Sequence, residues 1–289
     1  MRIADDCYTC FQRQAVGVCR DLGVTEYVEN RVVRAVTGVL DSRPESDTPP
    51  ELAVAVYEAV TKVLGVRDPL AERKKKDNES ALRLVPDVRF IIGESSDRLA
   101  AAVKGAVLGN VIDYAADPDF DIASEINEIF EKEFAVYDYD LFKKELNEAR
   151  WVLYIGDNAG EAAFDRLLIE ETGKQTVYMT RGAPIINDCL VEDAFACGLG
   201  EVADVVSSGC PMPGLVLDRC SDEAVELFRT APLIIAKGMG NFEALSEVEA
   251  PIYFLLKIKC GVVARYTGYE VGDFIFIRCK QSKGVKETL

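Results

Sequence analysis

The sequence predicts an α/β protein in two parts: a helical N-terminal domain over residues 1–149, then a largely parallel sheet with helices on both faces over residues 150–289. Two observations predict it. Apolar residues in the first half recur at helical spacing. From Trp151 onward, short apolar runs alternate with helical stretches, the signature of a parallel sheet layered between helices.

Taken in order, Val54, Val56, Tyr57, Val60, Val63 and Leu64 mark one helix, and Leu99, Val103, Val107, Leu108, Val111 and Ile112 another. Residues 121–134 and 138–149 are amphipathic and rich in Glu and Lys, while Pro44, Pro49 and Pro50 mark a loop between early helices. Strands are expected at Trp151–Ile155, Thr176–Met179, Val202–Val206, Leu233–Ala236, Ile252–Leu255, Val262–Ala264 and Phe274–Ile277. The second part therefore reads as a Rossmann-like, three-layer domain.

Composition narrows the chemistry. Hydrophobic residues are 49% and charged residues 28% of the chain, as in an ordinary folded protein, and no apolar run is long enough to span a bilayer. The opening MRIADDCYTCFQ lacks the basic start and apolar stretch of a signal peptide, so a cytoplasmic location is expected. A net charge of −16 argues against nucleic acid as a partner, because phosphate backbones are met by clustered Lys and Arg. The single basic run, Arg73–Lys76, is followed at once by Asp77 and Glu79 and reads as a solvated helix face. Nine cysteines at irregular spacing do not form a disulfide framework. The histidine count is zero, which removes Ser-His-Asp triads, Cys-His pairs and HExxH zinc sites. Any metal must sit on oxygen or sulfur.

Ligands of open α/β sheets bind beyond the carboxyl ends of the strands, so the residues after each strand carry the information. After Trp151–Ile155 comes Gly156-Asp157-Asn158-Ala159-Gly160-Glu161, where flanking glycines let two adjacent polar side chains turn to one point. Asp157 and Asn158 suit a hard divalent cation; a helix-capping turn is the competing reading. After Thr176–Met179, the segment Arg181–Cys189 leaves Asn187 and Asp188 at a helix start, and Arg181 reads either as a substrate-side cation or as a surface residue. After Leu233–Ala236 comes Lys237-Gly238-Met239-Gly240-Asn241, a possible phosphate cradle that does not match a P-loop. Two carboxylates that neutralise a divalent cation, with Lys237 facing a phosphate dianion, would make an electrically sensible site for metal-assisted phosphoryl transfer.

The blocks GDNAGE, RGAPIINDC and KGMGNFE resemble the signature blocks of the damage-control phosphatases. So do Cys7-x-x-Cys10, Arg67-Asp68-Pro69 ahead of Lys74 and Asn78, Gly109-Asn110-x-Ile112-Asp113, and Lys259-Cys260, although Leu70 stands where an aromatic residue is expected. The CxxC and KC pair resembles the stand-alone subfamily. The resemblance implies a helical domain capping a Rossmann-like one and a divalent metal (Mn, Ni, Co or Mg) held by Asp157, Asn158 and Asp188. It implies substrate phosphate near Lys237, Gly238 and Asn241, and phosphomonoesters of small metabolites as substrates. These would be sugar phosphates, damaged purine nucleotides or intermediates of purine synthesis. Asp157 and Lys237 are expected to act in catalysis, and Glu161 or Asp193 to accept a proton.

Cys7 and Cys10, three apart in an expected helix, share a face near its N-terminus, where thiol pKa values fall. With Cys260 they form a candidate thiol site for a metal or for redox chemistry, packing being the alternative. Asn110 and Asp113 either face the site or cap a helix. Two other functions remain open on the sequence: an S-adenosylmethionine-dependent methyltransferase built on VLYIGDNAG, and a non-enzymatic thiol module.

Overall fold

The computed structural model describes residues 1–42, 48–109, 126 and 129–279. Three helices come first: α1 (Asp5–Asp21), α2 (Glu26–Asp41) and α3 (Pro49–Leu64). Thr48 and Glu51 close a capping box at the start of α3, with prolines in its first turn, and Gly65 ends it in a left-handed conformation. Pro49 and Pro50, expected to sit in a loop, thus open a helix, because the first turn needs no N–H from them, while Pro44 lies outside the described residues. Then come α4 (Ala71–Glu94), with Pro86 inside it, and α5 (Arg98–Gly105). Asn110, Asp113, residues 121–125 and residues 127–128 lie outside the described residues.

The rest alternates: β1 (Val136–Tyr137), α6 (Tyr139–Glu148), β2 (Trp151–Ile155), α7 (Glu161–Thr172), β3 (Gln175–Thr180), α8 (Val191–Ala196), β4 (Asp204–Ser207), α9 (Asp222–Thr230), β5 (Ile234–Lys237), α10 (Gly238–Leu245), β6 (Ile252–Lys257), α11 (Gly261–Thr267) and β7 (Phe274–Arg278). The sheet order is β1-β7-β6-β5-β2-β3-β4. Every neighbouring pair is parallel except β6 with β7. The α/β, mostly parallel expectation holds. Val262–Ala264, expected as a strand, lies in α11, since three apolar residues cannot distinguish a strand from a buried helix turn. The two-residue β1 went unread.

Alternation along the strands sorts the core. Val152 and Tyr154 of β2 and Ile235 of β5 point to one face, against Ala162, Phe164 and Leu168 of α7 and Ala102 of α5. Leu153, Ile155, Ile234 and Ala236 point to the other, against Ala224 and Phe228 of α9 and Leu245 of α10. Packing does not stop at Trp151: the first of these clusters also takes in Ala81, Val88 and Leu108 from the helical half. A third cluster, including Phe11, Val36 and Val56, holds α1–α3 together. Among the described residues no helix is long and apolar enough to cross a membrane.

Candidate active site

From β2 the chain moves outward through β3 and β4, then returns to place β5 on β2's other side, so the sheet reverses direction between β2 and β5. Crevices at such reversals bind ligands. Asp157 and Gly238 follow these two strands.

The turn after β2 and the turn after β3 are stitched together. Asn158 and Asp188 form an isolated antiparallel bridge. Cys189 N donates to Asp157 O (2.7 Å) and Ala159 N to Asn187 O (2.9 Å). Ile186, with φ of 45°, is the one non-glycine at positive φ among the described residues, and it makes the bend that returns Asp188 to the sheet. A branched side chain held there is local strain of the kind found at sites. Asp157, Asn158 and Asp188 thus line one cavity of about 260 Å³ together with Gly238, as the sequence had grouped them.

Beneath them lies Arg181, 2% exposed. Its Nε donates to Asp188 Oδ2 (2.6 Å), Nη2 to Asp157 Oδ1 (3.4 Å) and Nη1 to Asn241 Oδ1 (3.0 Å). It is neither a surface residue nor part of the cavity lining, but a buried clamp under two carboxylates. Burial, then the neighbouring Asp188 and Glu161, pushes the Asp157 carboxyl up to about 8 against the pull of Arg181. Burial also raises Asp188. Asn241 donates to Gly156 O (3.0 Å) and Lys237 O (2.7 Å), so its buried amide ties the ends of β2 and β5.

Lys237 sits elsewhere than the sequence suggested. It is the last residue of β5 and shares Ile235's face, so strand alternation sends it under α7 instead of out over the strand end. Its Nζ donates to Ala106 O (2.7 Å), Glu161 Oε2 (3.0 Å) and Asp165 Oδ1 (2.7 Å), and the residue is 1% exposed. Asp165 also accepts from Tyr154 Oη (2.6 Å) and Tyr178 Oη (3.0 Å). Three donors on an ammonium are then all used. Burial alone would raise Glu161, but Lys237 overcomes it and holds that carboxyl below its usual range.

Glu161 in turn accepts from Asn158 Nδ2 (3.0 Å), which also donates to Asp157 Oδ2 (3.2 Å). With both amide protons engaged there, Asn158 Oδ1 is left as its free acceptor. Asp193 is not part of the cavity lining: it accepts from Asn78 Nδ2 (3.0 Å) and Leu190 N (3.0 Å) and pairs with Lys74 (3.4 Å). Asn78 Oδ1 accepts from Gly160 N (2.6 Å), fastening α4 to the turn after β2.

Cys7 and Cys10, on α1, and Cys260, just before α11, line the same cavity, with Glu243. All three are free thiols. Burial, helped by nearby acidic groups, raises Cys7 and Cys10 instead of lowering them, so the helix N-terminus does not dominate.

Among the described residues no three side chains drawn from Cys, Asp and Glu converge as a metal cage. The donor set at the inner end is two carboxylates and an amide oxygen, all hard donors, and it fits a hard divalent cation that would relieve the repulsion between Asp157 and Asp188.

A family model for the damage-control phosphatase ARMT1-like domain matches residues 3–275. This chain belongs to that family. It is 34% identical to damage-control phosphatase PH1575 of Pyrococcus horikoshii over 97% of this chain and 99% of that one. It is 36% identical to a damage-control phosphatase of Archaeoglobus fulgidus, over 78% and 80% of the two chains. It is also 34% identical to the uncharacterized protein MJ0202 of Methanocaldococcus jannaschii, with 96% of each covered. The crystal structure of PH1575, described as a DUF89 family protein, is similar with a TM-score of 0.87 at 33% identity, covering 97% of this chain and 100% of that one. The family resemblance carried by GDNAGE, RGAPIINDC and KGMGNFE is borne out.

The sequence reading missed Arg181's place, Asp165 and its two tyrosines. Arg181 had a signal, since it directly follows β3. Asp165 had one too, four residues after Glu161 on the same helix face.

Proposed function

We propose that this phosphatase is divalent-metal-dependent and hydrolyses phosphomonoesters of small metabolites in damage control. Sugar phosphates, damaged purine nucleotides or purine-synthesis intermediates are the substrates to test. The observation that carries the reading is the meeting of Asp157, Asn158 and Asp188, from two different turns, at the reversal point of the sheet. Those three would hold the metal, with Mn, Ni, Co and Mg all compatible with an oxygen donor set. When bound, such a cation polarises a phosphoryl oxygen and offsets its developing charge.

The chain's own residues prepare that site. Arg181 keeps the half-buried Asp157 and the buried Asp188 side by side. Glu161, ionised through Lys237, fixes the Asn158 amide so that its oxygen faces the cavity. Gly238 leaves room for Asp157: with φ of 76°, it is placed so that a Cβ would overlap Asp157 Oδ2. Lys237 and Asn241 act from below the cavity, where they hold the site's geometry. The thiols of Cys7, Cys10 and Cys260 line the same cavity as the carboxylates.

The test is turnover by chelator-stripped protein on a panel of phosphomonoesters with Mn, Co, Ni and Mg added in turn. Activity that returns with metal, and is absent in Asp157→Ala of native circular dichroism, supports the reading. Undiminished activity in that variant removes the site assignment, and tight adenosylmethionine binding without metal would favour a methyltransferase instead.

A further inference from the structure

We propose that a second cavity, walled by α1, α3 and the start of α4, holds a ring carried by the substrate while the phosphate meets the site at Asp157 and Asp188. The inference rests on the functional reading above and names which phosphomonoesters the protein selects: those whose organic part carries a flat, largely apolar ring with a hydrogen-bond acceptor. This second cavity has a volume of about 190 Å³. Phe11, Gln14, Ala53, Ile186 and Asn187 line both it and the first, so the two adjoin. The turn that carries Asp188 is therefore also a wall of the second space. Ile186, the branched residue held at φ of 45°, borders both.

Most of the wall is apolar, with Val18 from α1, Val56 and Val60 from α3, and Leu70 ahead of α4. These side chains belong to the cluster that packs α1–α3 together. The charged residues on the wall, Asp21 and Arg73, pair with each other at 3.4 Å. A sugar's hydroxyls would give up water against such walls and gain few partners, whereas a ring loses little. An apolar cavity of about 150 Å³ is enough to take benzene, so this one has room for a ring system.

Tyr57 supplies the specific contact. It lines the cavity, is 7% exposed, and its hydroxyl has no hydrogen-bond partner among the described residues. Buried tyrosine hydroxyls ordinarily find one. An acceptor on the bound ring removes the cost of leaving that donor unpaired. A single polar group placed in a mainly apolar pocket is how such sites orient a ligand.

The experiment compares adenosine 5′-monophosphate with ribose 5-phosphate, which lacks the ring, in KM and kcat with Mn, for wild type, Tyr57→Phe and Val60→Phe. Adenosine, which has the ring and no phosphate, is titrated calorimetrically into the same three proteins. Wild type is expected to take the ring-bearing ester with a KM lower by about tenfold or more. Tyr57→Phe should raise that KM by about threefold to tenfold and leave ribose 5-phosphate unchanged. Its Tm without ligand should not fall, because the deleted hydroxyl leaves no partner behind. Val60→Phe fills the cavity, so it should erase the difference between the two esters and abolish adenosine binding. Equal KM values for the two esters in wild type, or adenosine binding that Val60→Phe leaves intact, would overturn the inference while the functional reading stands. A wild type that turns over neither ester with any metal would overturn the functional reading, and adenosine binding lost in Val60→Phe would still uphold the ring site.

Discussion

Lys237 Nζ lies 2.7 Å from Asp165 Oδ1, with the lysine 1% and the aspartate 0% exposed. This pair is where strand alternation overrides the motif. A lysine at a strand end followed by two glycines looks like a phosphate ligand, yet its neighbours on β5 fix which face it takes. Asp165 accepts from two tyrosines as well, and so anchors the ammonium that in turn ionises Glu161. Asp165→Asn is expected to cost about 3–5 kcal/mol, since it leaves a buried charge short of its partner. Urea unfolding measures this as a fall in midpoint with the slope unchanged.

Arg181 holds two carboxylates that would otherwise repel each other in a buried place. Arg181→Met is expected to destabilise the metal-free protein by about 3–5 kcal/mol, because the buried Asp188 carboxylate loses its closest counter-charge. Added Mn should recover part of that loss, as a cation replaces the missing one. Thermal unfolding with and without Mn tests it: a larger Mn-dependent rise in Tm for the variant than for wild type is the expected result.

Metal binding should be linked to pH through Asp157, whose carboxyl burial and its acidic neighbours push up to about 8. An unfolded aspartate titrates near about 4. Between those values the metal-free fold keeps a proton that the unfolded chain has released, so this group's contribution to stability falls as pH rises through that window. A cation must displace the proton below about pH 8, so affinity should climb with pH up to there and flatten above. Calorimetry in buffers of different ionisation enthalpy should find protons released at pH 6.5 and few at pH 9.

Gly238 tests the closeness of the two turns. Gly238→Ala would put a Cβ into Asp157 Oδ2 on a backbone at positive φ. Turnover should fall by at least about tenfold while the far-ultraviolet spectrum stays native, because the strain is local.

Much of this was legible in the sequence, for physical reasons. The change of apolar period at Trp151 announced a layered sheet, and the polar turns after β2 and β3 announced where side chains could converge. What the sequence hid were facts of packing between distant segments. Lys237's direction depends on how β5 sits against α7. Arg181's burial depends on Asp157 and Asp188 arriving around it from two turns and Asn241 from α10. The antiparallel β7 and the short β1 depend on pairing across the sheet edge, which no local pattern in four or five residues specifies.

The central claim is that Asp157, Asn158 and Asp188 share one cation. Its most direct test is the anomalous-difference map of crystals grown with Mn. One strong peak surrounded by oxygen atoms of all three side chains is the predicted result. A peak that avoids them, in protein that turns over phosphomonoesters with Mn, would contradict the account.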